Sequence, residues 1–236
     1  MTDTGRIGRY ELYVFDWDGT VMDTTALIAR GIQEAAKALS LPVPDLEIAR
    51  GTIGLGVAET MAIVAPGLPR ERWEEFQLAY RSWYIVREAE VFLFPHLQEL
   101  LAGMHRRGVR MAVATGKSRR GLNRVFEKTG IGGYFEVTRT ADECFSKPHP
   151  QMLEEIFLET GVAPEDAVMI GDTGHDLQLA QNGRCHAVGV TYGAARRAEL
   201  EKLPHEALVD NVDELAEALG LADILKEELE RAGSQK

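Results

Sequence analysis

Two aspartates separated by one residue close the first apolar run of the chain, in Val14-Phe15-Asp16-Trp17-Asp18-Gly19-Thr20. Side chains at i and i+2 of a strand lie on the same side, so Asp16 and Asp18 point together from the strand's end. Carboxylates held that close repel one another, and the apolar run before them offers no solvation, so a cation belongs between or beside them. A hard divalent ion meets that need, and oxygen ligands suit magnesium. Gly19 lets the chain turn sharply after the pair. Two other readings stand beside this one. Asp and Gly are common in surface turns. A calcium loop also strings acids together, but here the glycine is fourth rather than sixth from the first Asp, and the twelfth position is Leu27 rather than glutamate.

Three further segments carry chemistry. Thr115-Gly116-Lys117 follows a strand-like run and opens a helix. A hydroxyl with free backbone N–H groups at a helix start makes a phosphate cradle, although Ser118 as a helix N-cap explains the same residues. Ser146-Lys147-Pro148-His149-Pro150 supplies a lysine just before a helix, and the flanking prolines fix its backbone as a positioned cation requires; a solvated lysine is the alternative. Gly171-Asp172-Thr173-Gly174-His175-Asp176 again places an acid at the end of an apolar run, with a second acid four residues on. Helix N-terminal acids are the plain alternative, better for Asp176 than for Asp172.

Elements of two kinds must position these residues. Short strand-like runs at 10–15, 109–114, 167–170, 186–190 and 207–209 alternate with helical stretches at 97–107, 119–129, 150–160, 176–182 and 212–219. That alternation predicts an α/β fold, a Rossmann-like largely parallel sheet with helices on both faces. The chemistry-bearing residues follow the carboxyl ends of the strands, where such sheets place their crevices. Residues 21–90 break the rhythm with helices at 26–39, 57–65 and 70–88, punctuated by Pro42, Pro44, Pro66 and Pro69. The expected organisation is a core of residues 1–20 and 91–236 carrying an inserted all-helical cap at 21–90. Residues 231–236 read as a frayed end.

With 236 residues, 45% of them hydrophobic, the chain can build one core plus an insertion. A formal net charge of −11 repels nucleic acid phosphates and anionic lipid, so neither nucleic acid nor membrane is an expected partner. A small anionic substrate is still compatible, because a local metal and a few cations override the net field. Cys144 and Cys185 read as free thiols. No apolar run suits a signal peptide or a bilayer span, and the expected location is cytoplasmic.

The order DxD, T, K, GDxxxD resembles the haloacid dehalogenase superfamily, and the helical block resembles that superfamily's small cap. Gly51-Thr52-Ile53-Gly54-Leu55-Gly56 and Phe94-Pro95 are similar to its phosphoglycolate phosphatase group. Two residues depart from that pattern: Trp17 replaces a smaller apolar residue, and His96 stands where glycine is usual. The resemblance implies a Mg2+-dependent phosphatase of a small phosphorylated metabolite, with Asp16 as nucleophile forming an aspartyl-phosphate and Asp18 as acid and base. It implies metal binding by Asp16, Asp18 through its backbone carbonyl, and Asp172, with Asp176 orienting a bound water. Lys147 would balance charge beside Asp16, and Thr115, Gly116 and Lys117 would hold phosphoryl oxygens. Arg50 could meet a substrate carboxylate, whereas Trp73, Trp83 and Tyr84 read as cap packing. Within the superfamily a phosphomutase or pyrophosphatase is the alternative; a dehalogenase would lack Asp18, and a phosphonate hydrolase would need a cap lysine better spaced than Lys37. A non-enzymatic phospho-acceptor of the receiver kind is the rival from another class, though receivers are shorter and carry their acceptor later.

Overall fold

The computed structural model describes residues 7–234. The strand-like runs become six parallel strands: β1 (Leu12–Phe15), β2 (Arg110–Thr115), β3 (Val137–Thr140), β4 (Ala167–Gly171), β5 (His186–Val190) and β6 (Ala207–Val209). Their spatial order is β3-β2-β1-β4-β5-β6, with Phe15 opposite Val113 on one side and Ile170 on the other. β1 is apolar at every position because both of its faces are buried. Tyr13 and Phe15 join one core cluster, and Leu12 and Val14 join another on the opposite face. The strand order reverses between β1 and β4, and at that point the carboxyl ends diverge and leave a crevice.

The first face is covered by α5 (Leu97–Arg106), α6 (Arg119–Thr129), α10 (Val212–Leu219) and α11 (Ala222–Gly233). The second is covered by α7 (Gln151–Thr160), α8 (Gly174–Gly183) and the short α9 (Arg197–Leu200). Between β1 and β2 come α1 (Thr25–Ala38), α2 (Leu46–Arg50), α3 (Val57–Val64) and α4 (Trp73–Ile85), which form the inserted helical cap. The cap has its own core, in which Ala29, Ile32 and Ala36 of α1 face Met61, Val64 and Phe76. Their i, i+3, i+7 spacing puts them on one stripe of the helix.

Five elements differ from the sequence expectation. β3 escapes it because Val137-Thr138-Arg139-Thr140 is an edge strand whose two middle residues are partly exposed, so no apolar run marks it. The long helix expected over 70–88 is interrupted: Arg70–Arg72 and Glu88–Glu90 are 3-10 turns flanking α4. α2 and α9 are too short for a periodic signal. The end expected to fray at 231 continues as helix to Gly233, because Leu221, Ile224 and Leu225 make a buried stripe and Glu228 pairs with Arg106 on α5. Gln235 and Lys236 lie outside the described residues. Among those residues, no helix is long and apolar enough to cross a membrane.

Candidate active site

β1, β2 and β4 end at the same lip of the sheet, and each passes its next or last residue to the crevice. Asp16 follows β1, with its N–H donating to the Ile170 carbonyl at 2.8 Å. Thr115 ends β2, and Asp172 follows β4. Carboxylate oxygens of Asp16, Asp172 and Asp176 lie within 4.8 Å of one another, and all three residues are buried. Lys147 arrives from the loop before α7 and is itself buried, its Nζ 2.8 Å from Asp16 Oδ1 and 2.6 Å from Asp176 Oδ1.

Each acid is held differently. Asp176 is saturated: Oδ1 accepts from Lys147, while Oδ2 accepts from the Thr173 hydroxyl at 2.7 Å and the Thr173 N–H at 3.0 Å. That pairing is the capping box of α8, so the helix start and the acid fix each other. Asp172 accepts from the Thr20 hydroxyl at 3.1 Å and from the Ala194 N–H at 2.6 Å. Gly19, at φ 84°, passes so close that a Cβ there would stand 2.1 Å from Asp172 Oδ2. Asp18 is not one of the three clustered acids; its carboxylate takes Lys117 Nζ at 2.7 and 2.9 Å and the Thr24 hydroxyl at 2.7 Å. Asp16 is the exception. The Lys147 contact is close but misaligned, and neither Asp16 oxygen has a hydrogen-bond partner among the described residues.

A buried carboxylate whose only close partner is one ammonium group is costly to keep charged unless something else binds it. Burial pushes the Asp16 pKa up to about 7; Lys147 pulls it down, and Asp176 and Asp18 push it up. Burial, then Asp16 and Asp176, drive Asp172 well above the usual carboxylate range. Burial opposes the Lys147 charge, but Asp16 and Asp176 outweigh it and raise its pKa. Four carboxylates face two ammonium groups here, Lys147 and Lys117, which leaves an excess of two negative charges when all are ionised. Hard oxygen donors with that excess fit a divalent cation such as magnesium, with Asp16 and Asp172 the carboxylates free to hold it. The backbone carbonyl of Asp18 is the contact that the resemblance adds.

The haloacid dehalogenase-like hydrolase family matches residues 13–190, a span that contains every one of these acids and both lysines. The chain belongs to that family. Curated relatives include the probable phosphatase IndB of Dickeya dadantii, 32% identical over 213 residues that cover 88% of this chain and 92% of that one. The phosphoglycolate phosphatase of Salmonella paratyphi A is 29% identical, covering 88% and 91%. The tyrosine-protein kinase PtkA of Mycobacterium tuberculosis is 32% identical, covering 89% and 73%. A haloacid dehalogenase-like hydrolase of Bacteroides fragilis, 21% identical, superposes with a TM-score of 0.80 over 87% of this chain and 99% of that one, which bears on the fold.

In this haloacid dehalogenase-like hydrolase the remaining expected residues take distinct places. Thr115 is fully buried, and its hydroxyl accepts from the Lys117 N–H at 3.2 Å. Ser118 is the N-cap of α6, accepting from Gly121 N–H. Gly116 is where the cap touches the core: a Cβ there would meet the Gly54 carbonyl at 2.6 Å. The glycine-rich segment 51–56 therefore lies across the crevice, anchored also by Gly56 N–H donating to Ser146 Oγ at 2.5 Å. Arg50 donates to the Gly193 carbonyl at 3.1 Å, beside the loop that holds Asp172, and does not line the large cavity under the cap. Trp73 donates to the Leu68 carbonyl and packs within the cap, whereas Tyr84 lines the cavity. Thr20, Thr24 and Ala194 were not legible as site residues. Thr20 closes the first motif but carried no assigned role, Thr24 is an ordinary threonine in sequence, and Ala194 acts only through its backbone.

Proposed function

We propose that the protein is a magnesium-dependent phosphatase that hydrolyses a small phosphorylated metabolite through a phosphorylated Asp16, of the kind its phosphoglycolate phosphatase relatives represent. The chain is a phosphoric monoester hydrolase of its family. The observation that carries the finer reading is Asp16 itself, buried, with no hydrogen-bond partner at either oxygen among the described residues, and beside Lys147 and Asp172.

Asp16 attacks phosphorus with one carboxylate oxygen; the new P–O bond forms as the ester P–O bond breaks. A carboxylate needs no base to attack, and its acyl phosphate is labile enough for water to complete the cycle. Asp18, held by Lys117 and Thr24 at the end of the cavity, gives the departing oxygen a proton. It then takes a proton from the water that attacks the phosphorylated Asp16, which releases phosphate and restores both acids. Lys147 offsets negative charge beside Asp16, and Thr115 with the N–H groups after it face the phosphoryl oxygens. Bound magnesium, held by Asp16 and Asp172, supplies charge neutralisation of the phosphoryl group. Asp176 acts by position: with both oxygens engaged, it fixes Lys147 and the start of α8.

The test is steady release of phosphate from p-nitrophenyl phosphate with magnesium. EDTA should stop it and added magnesium restore it. Asp16→Asn should abolish turnover with an unchanged far-UV circular dichroism spectrum. A single stoichiometric phosphorylation without release would instead favour a phospho-acceptor module, and retained activity in Asp16→Asn would remove Asp16 from the role.

A further inference from the structure

A cavity of about 620 Å³ lies between cap and core and begins at Asp18. Its wall is mainly apolar, built by Ile53, Leu55, Met61 and Phe76 together with the rings of Tyr80 and Tyr84, with Glu74 and Gln77 also on the lining. The two tyrosine rings stack with centroids 5.6 Å apart and planes 27° apart, so they present a continuous aromatic panel. Gly31 on α1 makes room for that panel, because a Cβ there would stand 2.8 Å from the Tyr80 ring. Lys117 joins panel to chemistry, with its Nζ 5.5 Å from the Tyr84 ring centre and 2.7 Å from Asp18 Oδ1.

The cavity is poorly matched to a short anionic alcohol. Its 620 Å³ corresponds to roughly twenty waters at ~30 Å³ each, of which two-carbon glycolate would displace only a few. Of the cations that line it, Lys117 is engaged by Asp18 and Arg124 by Glu88, while Arg81 and Arg120 are exposed side chains. Apolar walls of this size select ligands by the area they remove from water.

We infer that the alcohol released from the phosphoester is bulky, apolar and ring-bearing, and that it occupies this cavity against Tyr80 and Tyr84. The inference rests on the phosphatase reading, since only there does the departing oxygen lie at Asp18. Contacts along the wall then contribute to kcat/KM through the part of the substrate remote from phosphorus.

The experiment compares kcat/KM, with magnesium, for 2-phenylethyl phosphate, ethyl phosphate and phosphoglycolate, alkyl esters of similar leaving-group acidity, with p-nitrophenyl phosphate as a general control. The phenylethyl ester should exceed both others by at least about tenfold, and Tyr80→Ala should collapse its advantage over ethyl phosphate. Turnover of p-nitrophenyl phosphate together with a preference for phosphoglycolate, or equal rates for the ethyl and phenylethyl esters, would overturn the inference while leaving the phosphatase reading intact. Failure to hydrolyse any of the four esters would overturn both.

Discussion

Asp16 and Asp18 are separated by one residue, yet different lysines attend them: Lys147 stands beside Asp16 and Lys117 grips Asp18. The sequence places both acids at the strand end, and it places Lys147 near a helix start, but which lysine meets which acid depends on how β2 and the loop before α7 converge. The departures from the family pattern are explained at this scale too. Trp17 is fully buried, with its ring edge-on to Phe126 and Phe135, so it fills core volume behind the acids. His96 adopts φ 65°, a left-handed conformation that glycine takes without steric cost. Its exposed pairing with Asp213 at 2.8 Å offsets little of that cost. His96→Gly should therefore raise stability by roughly 0.5 kcal/mol, read as a higher urea midpoint at unchanged slope; a lower midpoint would mean the Asp213 pairing outweighs the backbone strain.

At the scale of elements, the strands that carry the site were legible because β1 and β4 are apolar throughout, and α6 and α10 because their apolar stripes repeat at helical spacing. β3 was not legible, since an edge strand with half-exposed residues carries no such signal. β3 nonetheless has a task. Arg119, at the start of α6, donates to the Thr138 hydroxyl and carbonyl and to Glu143, which ties the helix that begins after Thr115-Gly116-Lys117 to β3 and to the loop that follows it. Hydrogen bonds from Arg119 lower the Glu143 pKa to about 2, with burial opposing and Thr140 assisting. A carboxyl with a folded pKa below its unfolded value adds stability above the ordinary carboxylate range and loses it as pH falls toward the folded pKa. The stability gap between the native protein and Glu143→Gln should thus be open at pH 6 and narrow progressively between about pH 4.5 and 2. Denaturant melts at stepped pH measure it, and a gap independent of pH would mean the ion pair is not the source.

At the scale of the whole molecule, the parallel sheet follows from the alternation of runs and the insertion after the first strand from the break at 21–90, whereas the order of the strands was not legible. The contacts that hold the cap against the core were not legible. They include Gly54 against Gly116 and Gly56 against Ser146, which join residues distant in sequence and use backbone atoms. The large cavity was missed for a similar reason: Tyr84 at helical spacing has the pattern of a packing residue, and only the approach of α4 to α6 opens a space beside it. The molecule also concentrates its strongest electrostatic stress at one lip of the sheet, where the acids outnumber the cations. Magnesium that binds there binds the folded state alone, so at a hundredfold excess over its dissociation constant it should stabilise by ~2.7 kcal/mol. For a protein of this length that amounts to a rise in Tm of about 5–10 °C. Asp172→Asn should abolish most of the rise, and an equal shift in that variant would place the ion elsewhere.

The proposed reaction turns on the phosphorylated state of Asp16, and rapid acid quench during turnover with magnesium, followed by peptide mass spectrometry, reads it directly. The expected result is a mass increment of one phosphoryl group on the peptide containing Asp16, lost on alkaline or hydroxylamine treatment. A phosphoryl group found on another residue, or continued turnover with none on Asp16, would contradict it.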